Sequence, residues 1–235
     1  MSNDNVLGSK TALFVSGLAI LMALFQLYTS GFGRFPALQQ RSIHLAFALI
    51  LTFYLYPFSK KSFSKKWGST INSLSSIGAL LCCGNIAFVV YYVLYERAGA
   101  ATNIDIVFGF ILIILVLDMT RRIMGWALPI ITLIFIAYGF LGAYIDVPYL
   151  RHSGMDLHRF ISYTYLGTEG LFTVPLGVSA TFIAIFVLFA SFLVNSGVGD
   201  FFMDAATAVA GDKTGGPAKV AVVSSAAMGS VSGSA

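Results

Sequence analysis

Charge is the scarcest thing in this chain. Of its 235 residues, 10% are Asp, Glu, Lys or Arg and 57% are hydrophobic, where a water-soluble domain carries about 25% charge. Mean hydropathy is +0.85. A soluble globular domain is excluded. So is a membrane β-barrel, whose strands alternate over roughly ten residues. The apolar runs here are continuous, and several approach or exceed the ~20 residues that a helix needs to cross a bilayer. Cysteine is nearly missing. Cys82 and Cys83 are the only two, and neighbours cannot close an unstrained bridge with each other. With no C-x-x-C, they read as small buried apolar residues. Of the three histidines, His152 and His158 lie apart from any cysteine and among scattered carboxylates. A metal centre is not expected there.

Catalytic motifs are lacking too. The run Gly211-Asp-Lys-Thr-Gly-Gly is followed by Pro217 and not by Lys-Ser or Lys-Thr, so it is no phosphate loop. Val231 occupies the centre of Gly229–Gly233, so that run is no nucleophile elbow. No Ser, His and Asp set is placed for nucleophilic attack, and an enzyme is not expected. The net charge of +4 and a pI of about 9.1 do not point to nucleic acid. The basic residues sit between apolar runs, where the positive-inside rule places them.

What is present reads as an all-α polytopic membrane protein of about six transmembrane helices. The first span covers residues 11–29, too long for a signal peptide core and with no cleavage site after Tyr28. The second covers 43–58. Lys60, Lys61, Lys65 and Lys66 follow and mark a cytoplasmic loop. The N-terminus is then cytoplasmic as well. Span three, residues 74–95, runs outward and ends on Tyr91, Tyr92 and Tyr95. Span four, residues 104–117, returns and ends on Asp118, Arg121 and Arg122, again cytoplasmic. Asp118 lies three and four residues before the arginines, so it reads as their partner on one helix face rather than as an intramembrane ion ligand. Span five, residues 123–145, carries Pro129 and is expected to kink there. Residues 146–173 follow outside, with a short interfacial helix expected over 156–165 and Phe160 and Tyr163 toward lipid. Span six covers 175–194. Residues 200–210 show helical spacing of apolar side chains and read as an amphipathic helix on the cytoplasmic surface.

The last stretch is different. From Gly215-Gly216-Pro217 it runs through small and β-branched residues to Ser230-Val231-Ser232-Gly233-Ser234-Ala235. A helix over residues 218–231 is roughly 20 Å long, short of a ~30 Å hydrocarbon core. Broken backbone at that depth survives only in protein or beside a water-filled cavity, where carbonyls and hydroxyls can hold Na+ and anionic substrate. Gly229-x-x-x-Gly233 equally fits a close helix–helix contact. Spacing alone leaves both readings open.

The run Gly215-Gly216-Pro217-Ala218-Lys219 to Ser230-Val231-Ser232-Gly233-Ser234-Ala235 resembles the large membrane subunit of tripartite ATP-independent periplasmic (TRAP) transporters. Residues 177–204 resemble that subunit's first span and surface helix. Arg41-Ser42-Ile43-His44-Leu45-Ala46-Phe47 and Asp118-x-x-Arg121-Arg122-x-x-Gly125 resemble the small four-span subunit of fused permeases, of the type often associated with TAXI binding proteins. The resemblance implies a small-subunit domain over residues 1–122, a connecting helix and periplasmic segment over 123–173, and the start of a DctM-like large domain over 174–235. It implies a partial elevator-type fold ending in the first half of a re-entrant helical hairpin, and so an N-terminal fragment of a longer permease. The implied activity is Na+-coupled uptake of small organic acids such as C4-dicarboxylates across the bacterial inner membrane. A periplasmic substrate-binding protein of TAXI or DctP type delivers the substrate. Na+ is the coupling ion and no other cofactor is implied. Ser230, Ser232, Gly233 and Ser234 are the implied ion and substrate contacts, with Gly215, Gly216 and Pro217 as the hairpin entry. The alternative is a non-transporting membrane scaffold or an inactive fragment.

Overall fold

The computed structural model describes residues 9–58, 65–93, 96 and 100–232. Among these residues the chain is helical and has no strand. The helices are α1 (Ser9–Phe32), α2 (Ala37–Leu55), α3 (Lys65–Gly84), α4 (Asn103–Met124), α5 (Ala127–Leu141), α6 (Leu157–Ile161), α7 (Val174–Asn195), α8 (Val198–Ala210) and α9 (Gly216–Ser232). Wide π turns extend α3 over Asn85–Val90, follow α6 over Ser162–Leu166, and interrupt α7 over Ser179–Ile183.

Five helices are long and apolar enough to cross a membrane: α1, α3, α4, α5 and α7. The chain is a multi-pass membrane protein. The expected sixth span is α2, which begins at Ala37 and not at Ile43. It falls outside the five because its first two turns carry Gln39, Gln40, Arg41, Ser42 and His44. These are polar residues turned inward, and all but Arg41 are buried. On α1, Leu13, Ile20, Leu21, Leu24 and Leu27 stand exposed, as do Phe182, Phe186 and Phe192 on α7. Such broad apolar surface belongs against lipid.

The core lies where α2, α3 and α4 meet. Leu49, Phe53, Ala79, Cys82, Ile86 and Leu112 are buried in it. Both cysteines are free and buried, as their apolar surroundings predict.

The segment after α5 departs from expectation. Instead of an interfacial helix, α6 and its π turn drive inward. Ile161 and Tyr165 are fully buried against α4, and Phe160 packs on Phe140 at 5.2 Å between ring centres. Tyr163 alone of the expected lipid-facing pair is exposed. The close approach depends on Gly109, where a Cβ would sit 2.8 Å from Ile161 Cγ2 and 3.0 Å from Tyr165 Cβ. The Tyr165 hydroxyl donates to the Cys82 carbonyl at 2.8 Å and accepts from Asn85 Nδ2 at 3.3 Å. A π turn leaves carbonyls outside the regular helical ladder, and buried carbonyls need donors. Here Tyr165 serves Cys82, and Gln39 Nε2 serves Ala87 at 2.8 Å.

Pro129 makes no kink. The helix starts at Ala127, so Pro129 lies in its first turn, where the missing N–H has no partner to lose. That start is four residues later than the expected one at 123. Gly125, at φ +83, ends α4 and closes it with a bond from its N–H to the Arg121 carbonyl.

The ends of α2 and α4 meet. Arg122 Nη1 donates to the Tyr56 carbonyl at 3.2 Å and to Asn72 Oδ1 at 2.7 Å. Asp118 accepts from both arginines, at 2.7 Å from Arg121 Nη2 and from Arg122 Nε. Arg121 also stacks on Phe58 and Trp126, at 4.8 and 5.2 Å. Asp118 is therefore a paired carboxylate, as its spacing indicates. The other end of α4 is closed by a capping box between Thr102 and Asp105.

Candidate functional site

Two places among the described residues bear on function. The first is the antiparallel pair α8 and α9. Gly197, at φ +80, starts α8, and Phe201, Met203 and Val209 on it are exposed. Its opposite face carries Ala206 and Ala210, which bury against Val220 of α9. The expected amphipathic helix thus exists, and its small-residue face pairs with α9. Val220 and Ser224 are buried, four residues apart, and Ala227 and Met228 continue that face half-buried. The Met228 side chain of α9 reaches back to Gly199 at the start of α8, where a Cβ would lie 3.2 Å from Met228 Cε.

The entry to α9 is built by its glycines. Gly215 has φ +76, and a Cβ on Gly216 would collide with the Gly211 carbonyl. Pro217 stands at the second helical position, where it costs no hydrogen bond. The first bond of the helix runs from Lys219 N to the Gly215 carbonyl at 3.1 Å. Lys219 itself is exposed. The residues expected as hairpin entry therefore sit at the turn between α8 and α9. Of the expected contact residues, Ser230 and Ser232 lie in the last turn of α9, which continues unbroken to Ser232. Their side chains are not among those described. Gly233 and Ser234 lie outside the described residues.

The second place was not assigned a role from sequence. The start of α2 forms a buried polar junction with α1 and α7. Gln26 Nε2 donates to His44 Nδ1 at 2.8 Å, which leaves His44 Nε2 to donate to Ser179 Oγ at 3.2 Å. Gln40 Nε2 reaches both Thr29 Oγ1 and the Ala180 carbonyl, each at 3.2 Å. Arg41 donates to the Phe172 carbonyl. Gln26, Thr29, Gln40 and His44 are all buried. The π turn of α7 spans Ser179–Ile183, so both Ser179 and Ala180 belong to it. The signal in the sequence was the run Gln39-Gln40-Arg41-Ser42-x-His44, too polar for a lipid-facing turn.

His152 has a structural role. Its ring bonds the Tyr138 carbonyl at 3.1 Å and accepts from Gly154 N–H at 3.1 Å. Among the described residues, no three His, Cys, Asp or Glu side chains gather as metal ligands.

Residues 111–235 match the family described as the tripartite ATP-independent periplasmic transporter, DctM component. The chain belongs to this family. The match covers just over half of its length and includes all of α5 to α9. DctM is a transporter component, and the family in general implies a periplasmic binding-protein partner. The DctM match begins at Ile111, within α4. No curated protein and no solved structure matches the chain.

Proposed function

We propose that this chain supplies the permease of a Na+-coupled uptake system for small organic acids, such as C4-dicarboxylates. Its partner is a periplasmic substrate-binding protein of TAXI or DctP type. The observation that carries this reading is the helical pair α8 and α9, which turns on Gly215-Gly216-Pro217 inside the residues that match the DctM family. Ser230, Ser232, Gly233 and Ser234 follow this turn in sequence, and hydroxyl and carbonyl oxygens are hard donors of the kind that bind Na+ and orient a carboxylate substrate.

On this reading residues 174–235 form the substrate-handling part and 123–173 the connection. Residues 1–122 brace it, a role favoured by the buried polar junction that ties α2 to α7. The chain sits in the bacterial inner membrane with a cytoplasmic N-terminus. Support comes from Arg122 bonding Tyr56, which brings the end of α4 beside the end of α2. The lysines at 60, 61, 65 and 66 follow α2 in sequence, so both basic clusters belong to one membrane face.

The test is uptake by the intact transporter in proteoliposomes, with its binding protein and an imposed Na+ gradient. Ser230→Ala, Ser232→Ala and Ser234→Ala are each expected to lower uptake and raise the Na+ concentration needed for half-maximal rate. Wild-type rates in all three variants would sink the site assignment. Uptake at full rate without a Na+ gradient would sink the coupling.

A further inference from the structure

We propose that the cleft between α2 and α7 binds the phosphate of an anionic phospholipid headgroup. A cavity of about 280 Å³ opens there, and Arg34 and Arg41 both line it. Neither guanidinium has a carboxylate partner among the described residues. Each is nonetheless held in place. Arg41 is half-buried, donates to the Phe172 carbonyl, and lies against Gly177, where a Cβ would stand 2.7 Å from its Nε. Arg34 stacks over the Phe182 ring at 5.2 Å. A carbonyl and a ring thus fix two cations in one cleft, and nothing described there neutralises them.

That arrangement has a direction. A half-buried charge beside low-dielectric surroundings is costly without a counter-charge. Guanidinium groups present forked donors that match phosphate oxygens. Beside Gln40 and Thr181, the rest of the lining is apolar, and Phe35, Val174, Val178 and Phe182 are exposed on it. Cations set beside hydrocarbon-facing walls suit a molecule that is anionic at one end and apolar at the other. Free inorganic phosphate would use the arginines and leave the apolar walls idle. Basic pockets between membrane helices bind lipid headgroups for these reasons.

The protein, purified in detergent and stripped of lipid, is titrated with dioleoylphosphatidylglycerol or with dioleoylphosphatidylcholine, whose choline offsets the phosphate charge. Bound lipid is counted by native mass spectrometry. The glycerol lipid is expected to bind about tenfold tighter than the choline lipid, and Arg34→Gln to remove about that factor. Arg34→Lys should restore part of it. Arg41→Gln is expected to do the same, but Arg41 also holds the Phe172 carbonyl. Arg34→Gln, a residue that only stacks on a ring, therefore decides the matter if the Arg41 variant fails to fold. Inorganic phosphate at millimolar concentration is expected not to displace the lipid. Equal retention of the two lipids, unchanged binding in Arg34→Gln, or displacement by inorganic phosphate would each overturn the proposal.

Discussion

His44 on α2 and Ser179 on α7 are 135 positions apart in sequence and joined by a 3.2 Å hydrogen bond. With Gln26 on the other ring nitrogen at 2.8 Å, one imidazole ties three helices together. Removing one member strands the others in a buried setting, at a cost of about 1–3 kcal/mol. His44→Leu is expected to lower the thermal unfolding temperature in detergent by more than Ser179→Ala does. Ser179→Ala removes one bond of the set and His44→Leu removes two. Equal melting of wild type and His44→Leu would show that the junction is not holding the helices.

Gly109 sets the distance between α4 and the inward segment. Gly109→Ala places a methyl 2.8 Å from Ile161 Cγ2, and overpacking of this kind costs about 1–3 kcal/mol. Tyr165→Phe should cost about 1 kcal/mol by a different route, because it leaves the Cys82 carbonyl without its donor. Both changes are read by thermal unfolding.

Asp118 holds two arginines, and its side chain is 22% exposed. Asp118→Asn is expected to destabilise the protein by about 1–3 kcal/mol, since Arg122 is nearly buried and would lose its counter-charge. Added salt should change the wild-type melting temperature little, because a partly buried pair is poorly screened.

Orientation is open to direct labelling. Tyr149 is 97% exposed and lies beyond the end of α5 that the proposed topology places outside. Tyr149→Cys should react with a membrane-impermeant maleimide in whole spheroplasts. Lys213→Cys should react only after the membrane is opened. The native Cys82 and Cys83 are buried and give little background. Labelling in the reverse pattern would invert the proposed topology.

Gly216 lies against the Gly211 carbonyl, and Gly215 has φ +76. Gly216→Ala should therefore spread the turn between α8 and α9 and reduce uptake by the intact transporter. Ala218→Gly, at an exposed position in the next turn, should leave uptake near wild type while loosening the helix by about 1 kcal/mol.

Much of the fold could be read from local features of the chain. Apolar runs marked the spans, Asp118 and its arginines fell at helical spacing, and Gly215-Gly216-Pro217 announced a turn. What escaped depends on long-range partners. Tyr163 and Tyr165 look alike in sequence, yet one is exposed and the other is fully buried. Tyr165 is received by the space at Gly109 and by the Cys82 carbonyl, partners far away in sequence. Pro129 falls in a first turn and not in mid-helix, because a continuous apolar run hides where a helix starts. The partners of Gln40 and His44 lie 140 and 135 positions away, beyond any local pattern. At the candidate site, the entry glycines were legible from their backbone demands. The serines at 230 and 232 are placed at the end of α9, and their chemistry rests on the family resemblance.

The polar start of α2 also bears on how the protein is made. A ribosome adds roughly 5–20 residues per second. His44 therefore emerges on the order of ten seconds before Ser179 exists, and Gln40 waits about as long for the Ala180 carbonyl. Gln26 and Thr29 on α1 are already available. During that interval α1 and α2 must leave the insertion machinery as a pair, each masking the other's amide and imidazole groups, and α7 completes the set on arrival.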